Sequence, residues 1–376
     1  MRVAVVNLTR SGLSGGYKKY LQELLPRLVR HPQIEEIHVF IRPEYIYQIE
    51  SIIPEGHCHP CLDTLVGRRQ LKNMLSKIFP DVIFFPILRG IRSTGTPAVY
   101  MVQNMEPLTR PFGGNSCADA LKNLARRFVA KAACRRATRI LAISHFVKDF
   151  LVKTWHINPG KIGMVYYGAN ERYTSFEGAR PSAIPSNWQD GFLFTAGSIR
   201  PARGLEDLIR ALAELAAAGI RLPLLIGGVA DPSSLSYEGR MRELTVNLKI
   251  QNQVVWTGYL TQREMAWCYS RASLFIMTSR VEAFGLIALE AMSHGQGFIA
   301  ADNPCLPEIF RDSARYYVPG NSRSLAEAIT AYQASSTEVQ RDQRLRARAY
   351  AAKFTWDRTA EETVKELMVA WQSDNK

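Results

Sequence analysis

Short apolar runs rich in β-branched residues alternate with longer stretches of helical period along the whole chain. This pattern predicts parallel sheets whose strands are joined by crossover helices. In the first half the predicted strands are Val3–Val6, Ile37–Ile41, Val82–Phe85, Ala98–Val102, Ile140–Ile143 and Ile162–Val165. In the second half they are Phe192–Ala196, Leu224–Ile226, Val254–Trp256, Leu274–Met277, Gly297–Ala300 and Ala314–Tyr317. Between the two sets, Asn170–Asp190 has two prolines, many small polar residues and no period, and reads as a hinge. The expectation is an α/β protein with two doubly wound domains, residues 1–170 and 191–355, and a linker over 171–190. Sheets of this kind bind ligands at the carboxyl ends of their strands, so two such domains facing each other would line a cleft. A last helical stretch begins at Trp356, with Thr355 and Asp357 as start signals. It is expected to run over about 356–376 and to pack back on the first domain.

One helical stretch carries an unusual charge. Leu121, Leu124, Ala125, Phe128, Val129 and Ala132 recur at helical spacing, while Lys122, Arg126, Arg127 and Lys131 fill the other faces. The default expectation is an apolar stripe facing the core with a solvated basic surface. The 376 residues carry a net charge of +13, and its distribution is uneven. Residues 1–175 hold 25 Lys+Arg against 12 Asp+Glu, while the remainder holds 22 of each. The first half is therefore expected to meet an anionic partner: a membrane surface it would contact peripherally, a phosphorylated lipid or a nucleic acid. Nucleic acid is disfavoured, because no nucleic-acid-binding motif accompanies the charge.

The opening apolar run is too short for a signal-peptide core, and no run of apolar residues is long enough to span a bilayer. The six cysteines then read as reduced thiols of a cytoplasmic protein, peripheral at most on the inner face of the membrane. His57-Cys58-His59-Pro60-Cys61 crowds four potential ligands into five residues. No second ligand pair follows at zinc-finger spacing, so a metal-free loop is expected there.

The candidate chemistry concentrates in Arg280–Gly295. Glu282 sits after a predicted strand and Glu290 on the following helix, with Phe284-Gly285-Leu286 between them. Amides at that helix start favour an anion. A carboxylate beside an anion cradle, with a second two turns on, suits a diphosphate flanked by two polyhydroxylated rings, as in a nucleotide sugar. Upstream, Gly197-Ser198-Ile199-Arg200-Pro201-Ala202-Arg203-Gly204 joins a strand to a helix. Glycine permits close approach of a diphosphate and the arginines neutralise its charge.

These residues resemble those of the retaining glycosyltransferases of family 4, which have the GT-B fold of two Rossmann-like domains. The likeness spans nearly the whole chain and is strongest over 191–320, including Glu290-Ala291-Met292, Gly295 and Leu306-Pro307-Glu308. It implies a nucleoside-diphosphate sugar, GDP- or UDP-linked, as co-substrate. It implies that Glu282 contacts the donor sugar near the reacting carbon, that Glu290 holds the ribose, and that Arg203 neutralises the leaving diphosphate. The family's first arginine is replaced by Ser198, and Arg200 stands in as its candidate substitute. Tyr259 and Leu260, after Val254–Gly258, would flank the base. In the first domain, Gly15 and Gly16 match a turn facing donor diphosphate and acceptor. Asn104 and Glu106 stand where relatives carry a residue facing the reacting sugar, and His145 lies on a turn at the cleft.

The reaction implied is sugar transfer, with retention, to a hydroxyl of a glycan or lipid-linked acceptor in polysaccharide or glycolipid assembly. No Asp-x-Asp occurs in the motif, so no metal and no other cofactor are expected. Two alternatives stand beside it: a catalytically silent nucleotide-sugar-binding partner, and an epimerase or phosphorylase on the same fold.

Overall fold

A computed structural model describes residues 1–9, 15–88, 91, 95–109, 117–169 and 178–374. The chain forms two compact units, one of residues 1–111, 122–168 and 355–376, the other of residues 112–121 and 169–354.

The first unit contains β1 Arg2–Asn7, α1 Gly15–Val29, β2 Glu36–Ile41, α2 Ile46–Glu50, β3 His57–Pro60, α3 Leu65–Ile78, β4 Val82–Phe85 and β5 Ala98–Val102. After these come α4 Glu106–Thr109, α5 Cys117–Arg136 (of which residues 117–121 group with the second unit), β6 Arg139–Ala142, α6 His145–Asp149 and β7 Ile162–Met164. Seven parallel strands lie in the order β3-β2-β1-β4-β5-β6-β7. The central strands are buried on both faces, which is why they read as unbroken apolar runs rather than as alternation.

In the second unit, β8 Leu193–Ala196, α7 Leu205–Ala217, β9 Leu224–Gly227, α8 Leu235–Asn247, β10 Val254–Gly258 and α9 Gln262–Arg271 form the first half. There follow β11 Leu274–Met277, α10 Leu286–Ser293, β12 Phe298–Ala301, α11 Leu306–Phe310, β13 Arg315–Tyr317, α12 Ser322–Gln333 and α13 Thr337–Ala351. Its six parallel strands run β10-β9-β8-β11-β12-β13. Side-chain alternation divides this sheet by chemistry. Leu193, Leu274 and Ile299 meet the apolar stripe Leu205, Leu208, Ile209 and Leu212 of α7. Their neighbours Phe194, Phe275 and Phe298 form an aromatic layer with Tyr269 on the other face.

The last helix, α14 Trp356–Asp374, belongs to the first unit. Thr355 caps it by accepting the Arg358 amide at 3.2 Å. Trp356, Ala360, Val364, Leu367 and Ala370 are buried along one face, and the Trp356 ring packs against Tyr20 of α1 and against Tyr167. Within the segment expected as a linker, residues 178–190 are folded onto α9. The Ala179 amide bonds the Arg263 carbonyl, and Arg180 donates to the Pro185 and Trp188 carbonyls. Residues 170–177 lie outside the described set.

Two expectations need correction. His57–Pro60 is an edge strand, not a loop, in register with His38–Ile41. Strand alternation puts His57 and His59 on one face, where both stack on His38, and turns Cys58 to the other. Burial pushes the Cys58 thiol up to about 11 and also raises Cys61, so neither is a thiolate. Among the described residues, no group of three or more His, Cys, Asp or Glu is arranged to hold a metal ion.

The second correction concerns α5, whose apolar stripe faces outward. Leu121, Ala125, Phe128 and Val129 are exposed, Leu124 and Ala132 are half-buried, and the buried side consists of Asn123, Ala130, Ala133 and Cys134, continued by Ala137 just past the helix end. Small side chains let this helix sit close to the sheet, where Cys134 lies beside Tyr100 of β5. The bulky residues are left on the opposite side.

Candidate active site

In the second unit the carboxyl ends of β8, β9 and β10 are drawn together by glycine backbone. The Gly197 amide bonds the Gly227 carbonyl at 3.0 Å, and the Gly228 amide bonds Gly258 at 2.7 Å. Gly197 has φ +129°, and a Cβ there would lie 1.7 Å from a guanidinium nitrogen of Arg203. Its missing side chain is therefore the space Arg203 occupies. Arg203 ends a short 3₁₀ turn, Pro201–Arg203, opened by Arg200, and left-handed Gly204 then starts α7.

Two bonds tie this turn to the exit of β11. The Thr278 hydroxyl donates to the Arg203 carbonyl at 2.7 Å, and the Arg280 amide donates to the Ala202 carbonyl at 2.8 Å. Across that junction Arg203 reaches the Ser279 hydroxyl at 3.0 Å and a Glu282 carboxylate oxygen at 3.2 Å. Both partners of the ion pair are largely, not fully, shielded. Cation and carboxylate thus stand side by side at the ends of neighbouring parallel strands, β8 and β11.

Glu290 joins them through Tyr269. Burial raises this phenol well above its ordinary range, the Glu290 carboxylate raises it further, and the Arg203 guanidinium opposes. Tyr269 therefore lies within electrostatic reach of both groups, and its hydroxyl donates to the Ile287 carbonyl at 3.2 Å. Helix α10 starts at left-handed Gly285, φ +93°, and no side chain caps it. Phe284, Gly285 and Leu286 are buried, and a Cβ on Gly285 would meet Leu306 and Phe310. The first amides of α10 are thus held in place close in sequence to Glu282, and among the described residues no side chain accepts from them at the cap.

A buried polar layer supports this junction. Asp207 of α7 accepts from Arg280 at 2.7 Å, from the Tyr317 hydroxyl at 3.0 Å and from the Gly320 amide at 2.8 Å. Arg280 also reaches Glu206, which accepts from Tyr237. Burial works against the charge of Arg280, but bonds to Asp207 and Glu206 prevail and hold it above its ordinary range. Asn303, buried beyond β12, donates to the Ser279 carbonyl and accepts the Cys305 and Leu306 amides.

Sequence reasoning missed Tyr269, Ser279, Asn303 and the Asp207–Arg280 pair. Only Arg280 had a visible signal, its place two residues before Glu282. Of the residues expected near the base, Tyr259 is exposed after left-handed Gly258, while Leu260 is buried against Gly227. Ser198 is exposed and Arg200 half-buried.

In the first unit the expected residues lie at the carboxyl end of the sheet, after β1, β5 and β6. Gly15, φ +55°, and Gly16 open α1 and are exposed. Residues 12–14 of the same turn lie outside the described set. Asn104 is exposed and accepts the Glu106 amide at 3.1 Å, so it shapes the start of α4. Ser144 is fully buried and caps α6 through the Val147 amide, leaving His145 exposed beside Tyr166.

Comparisons with known proteins bear on the family and the fold. A family model described as "Glycosyl transferases group 1" matches residues 181–353, and one described as "Glycosyltransferase Family 4" matches residues 14–172. The O-antigen chain mannosyltransferase RfbU of Salmonella typhimurium is 22% identical over 66% of this chain and 64% of its own length. A D-inositol 3-phosphate glycosyltransferase of Nocardia farcinica is 29% identical over 68% of this chain and 58% of its own. The chain thus spans somewhat over half the length of such curated relatives. Among solved structures, Anabaena HepE in complex with UDP-glucose superposes with a TM-score of 0.75 at 17% identity, covering 97% of this chain and 99% of its own. WaaG, a glycosyltransferase involved in lipopolysaccharide biosynthesis, gives 0.67 at 15% identity, covering 97% of this chain and 99% of that chain.

Proposed function

The chain belongs to glycosyltransferase family 4 and has the GT-B fold, and from that premise we propose that it transfers a sugar from a nucleoside-diphosphate sugar to an acceptor hydroxyl with retention of configuration. The Arg203–Glu282 pair at the ends of β8 and β11 carries this reading. In it, the diphosphate rests on the first amides of α10 and on Arg203, assisted by Arg200. Glu282 orients the sugar ring, and Glu290 holds the ribose. As the bond from anomeric carbon to phosphate oxygen lengthens, negative charge grows on the diphosphate, and groups already fixed in place meet it without reorganising. The acceptor hydroxyl attacks from the face the diphosphate leaves, and its proton passes to the departing phosphate oxygen. Guanidinium groups do the neutralising, so the reading calls for no metal.

The first unit takes the acceptor near Gly15, Gly16, Glu106 and His145. The acceptor is a glycan or lipid-linked sugar of polysaccharide or lipopolysaccharide assembly, the setting named for RfbU and WaaG. The enzyme would work on the cytoplasmic side of an anionic membrane that presents it.

The test incubates purified protein with UDP- and GDP-sugars and records nucleoside-diphosphate release. Release from at least one donor is expected, and Glu282→Gln should lower it by about 10²- to 10³-fold with an unchanged melting point. No release from any donor, or an E282Q rate equal to wild type, would overturn the reading.

A further inference from the structure

The outward stripe of α5 has a counterpart on α3. The two helices share one face of the seven-stranded sheet. Ile83, Phe85 and Ile91 line a cavity with Leu71, Leu75 and Phe79 of the α3 segment. Phe85 stacks on Tyr100 at 4.5 Å, and Tyr100 lies beside Cys134 of α5. Right-handed crossovers into β4 and β6 give the same placement.

Large apolar side chains are uncovered on both helices. Leu65 is 87% exposed, Phe79 74%, Leu121 69% and Phe128 67%. Phe79 is held left-handed at φ +50° as the residue ending α3, a costly conformation for an aromatic residue, and its ring still faces solvent. The charge on these helices is nearly all of one sign. Together they contain ten Lys+Arg and a single acidic residue, Asp119.

On α5, Leu121, Ala125, Phe128, Val129 and Ala132 fall on one side by helical spacing. Lys131 and Arg135 border that side on one flank and Lys122 on the other, while Arg136 falls within it at the carboxyl end of the helix. An apolar strip bordered by cations on both flanks is the pattern of a helix lying in a lipid–water interface. Hydrophobic and Coulombic attraction then act on the same surface, because anionic headgroups surround the acyl boundary. Among the described residues no helix is long and apolar enough to cross a membrane.

We propose that the α3–α5 face docks on an anionic lipid bilayer, with Leu65, Phe79 and Phe128 entering the headgroup–acyl boundary and the flanking cations meeting lipid phosphates. The proposal rests on the part of the functional reading that puts the enzyme at a membrane, and not on its catalytic residues.

The test is co-sedimentation of the full-length protein with phosphatidylcholine vesicles, with and without phosphatidylglycerol. Wild type should bind the anionic vesicles, bind neutral ones weakly, and release in high salt. Lys131→Gln with Arg135→Gln should weaken binding by about 30-fold, near fivefold for each cation. Leu65→Ser with Phe128→Ser should weaken it by at least about tenfold. Both positions are exposed, so melting points should not move, and donor turnover with a water-soluble acceptor should stay at wild-type level. E282Q should bind vesicles as wild type does, which separates failure of this proposal from failure of the catalytic reading. Absence of anionic-vesicle binding would overturn the proposal, as would L65S/F128S binding equal to wild type. A concentration-dependent dimer that the same variant dissolves, without vesicle binding, would assign the face to a second copy instead.

Discussion

Asp207→Ala should be the most damaging single change in the second unit outside its apolar core. Asp207 has a side chain only 4% exposed and accepts from three donors. Removing it strands the Tyr317 hydroxyl, the Gly320 amide and one arm of Arg280. Breaking a buried ion pair by deleting one partner costs about 3–5 kcal/mol; here Arg280 keeps Glu206, but the loss of the acceptor shared by Tyr317 and Gly320 adds to the cost. For a unit of this size that corresponds to a fall in melting point of roughly 6–20 °C. Arg280→Ala should cost less. It leaves Asp207 with two donors, and Glu206 keeps its bond from Tyr237. Thermal and urea denaturation of D207A, R280A and the double variant form a cycle, and a coupling of at least about 1.5 kcal/mol is expected. The reasoning is refuted if D207A melts within a degree or two of wild type, or if R280A proves the more damaging.

Gly197→Ala puts a methyl group where Arg203 lies and forces an unfavourable φ, so nucleoside-diphosphate release should drop about 10²-fold while the sheet still folds; a wild-type rate, measured with saturating donor, would contradict the assigned packing. Burial chiefly holds His38 and His59 below the ordinary histidine range. Neutral when folded and protonated when unfolded below about pH 6.5, they contribute stability that is full above that pH and lost as pH falls through their lower folded values. Melting points of wild type should therefore decline from neutral to acidic pH, and His38→Gln with His59→Gln should flatten that decline; identical slopes would rule out the histidine stack. Leu367→Ala, at a fully buried position of α14, should cost about 2–5 kcal/mol in urea denaturation, and a loss under about 1 kcal/mol would mean the helix is not integral to the first unit.

The strands that carry the site were legible because doubly buried parallel strands read as unbroken apolar runs. Leu274–Met277 and Val82–Phe85 lie where the pattern puts them. The edge strand His57–Pro60 was not legible, because an edge strand with two imidazoles, a thiol and a proline lacks the apolar signature. Within the site, motif spacing singled out Arg203 and Glu282, which sit 79 positions apart in sequence and 3.2 Å apart in space. Ser279, Asn303 and Asp207 were invisible for a different reason. Their roles depend on which loop ends meet at the junction of β8, β11 and β12, and no local pattern encodes that meeting. A short polar side chain after a strand looks the same whether it faces solvent or fixes a neighbouring loop.

Helix α5 shows a limit of hydrophobic periodicity that also explains its exposed face. The period locates the side of a helix where large apolar residues gather, and it assigns that side to the core only if the core is what the helix was built to meet. In α5 the sheet side is made of Asn123, Ala130, Ala133 and Cys134, whose modest volumes allow close approach but carry little weight in the pattern. Folding of the unit therefore supplies no reason for Phe128 and Leu121 to be apolar. Polar residues at those positions would serve an exposed helix equally well and would remove an aggregation hazard. Phe128, exposed on the same sheet face as Leu65 and Phe79 and amid cations of a single sign, has the chemistry that the proposed interface requires.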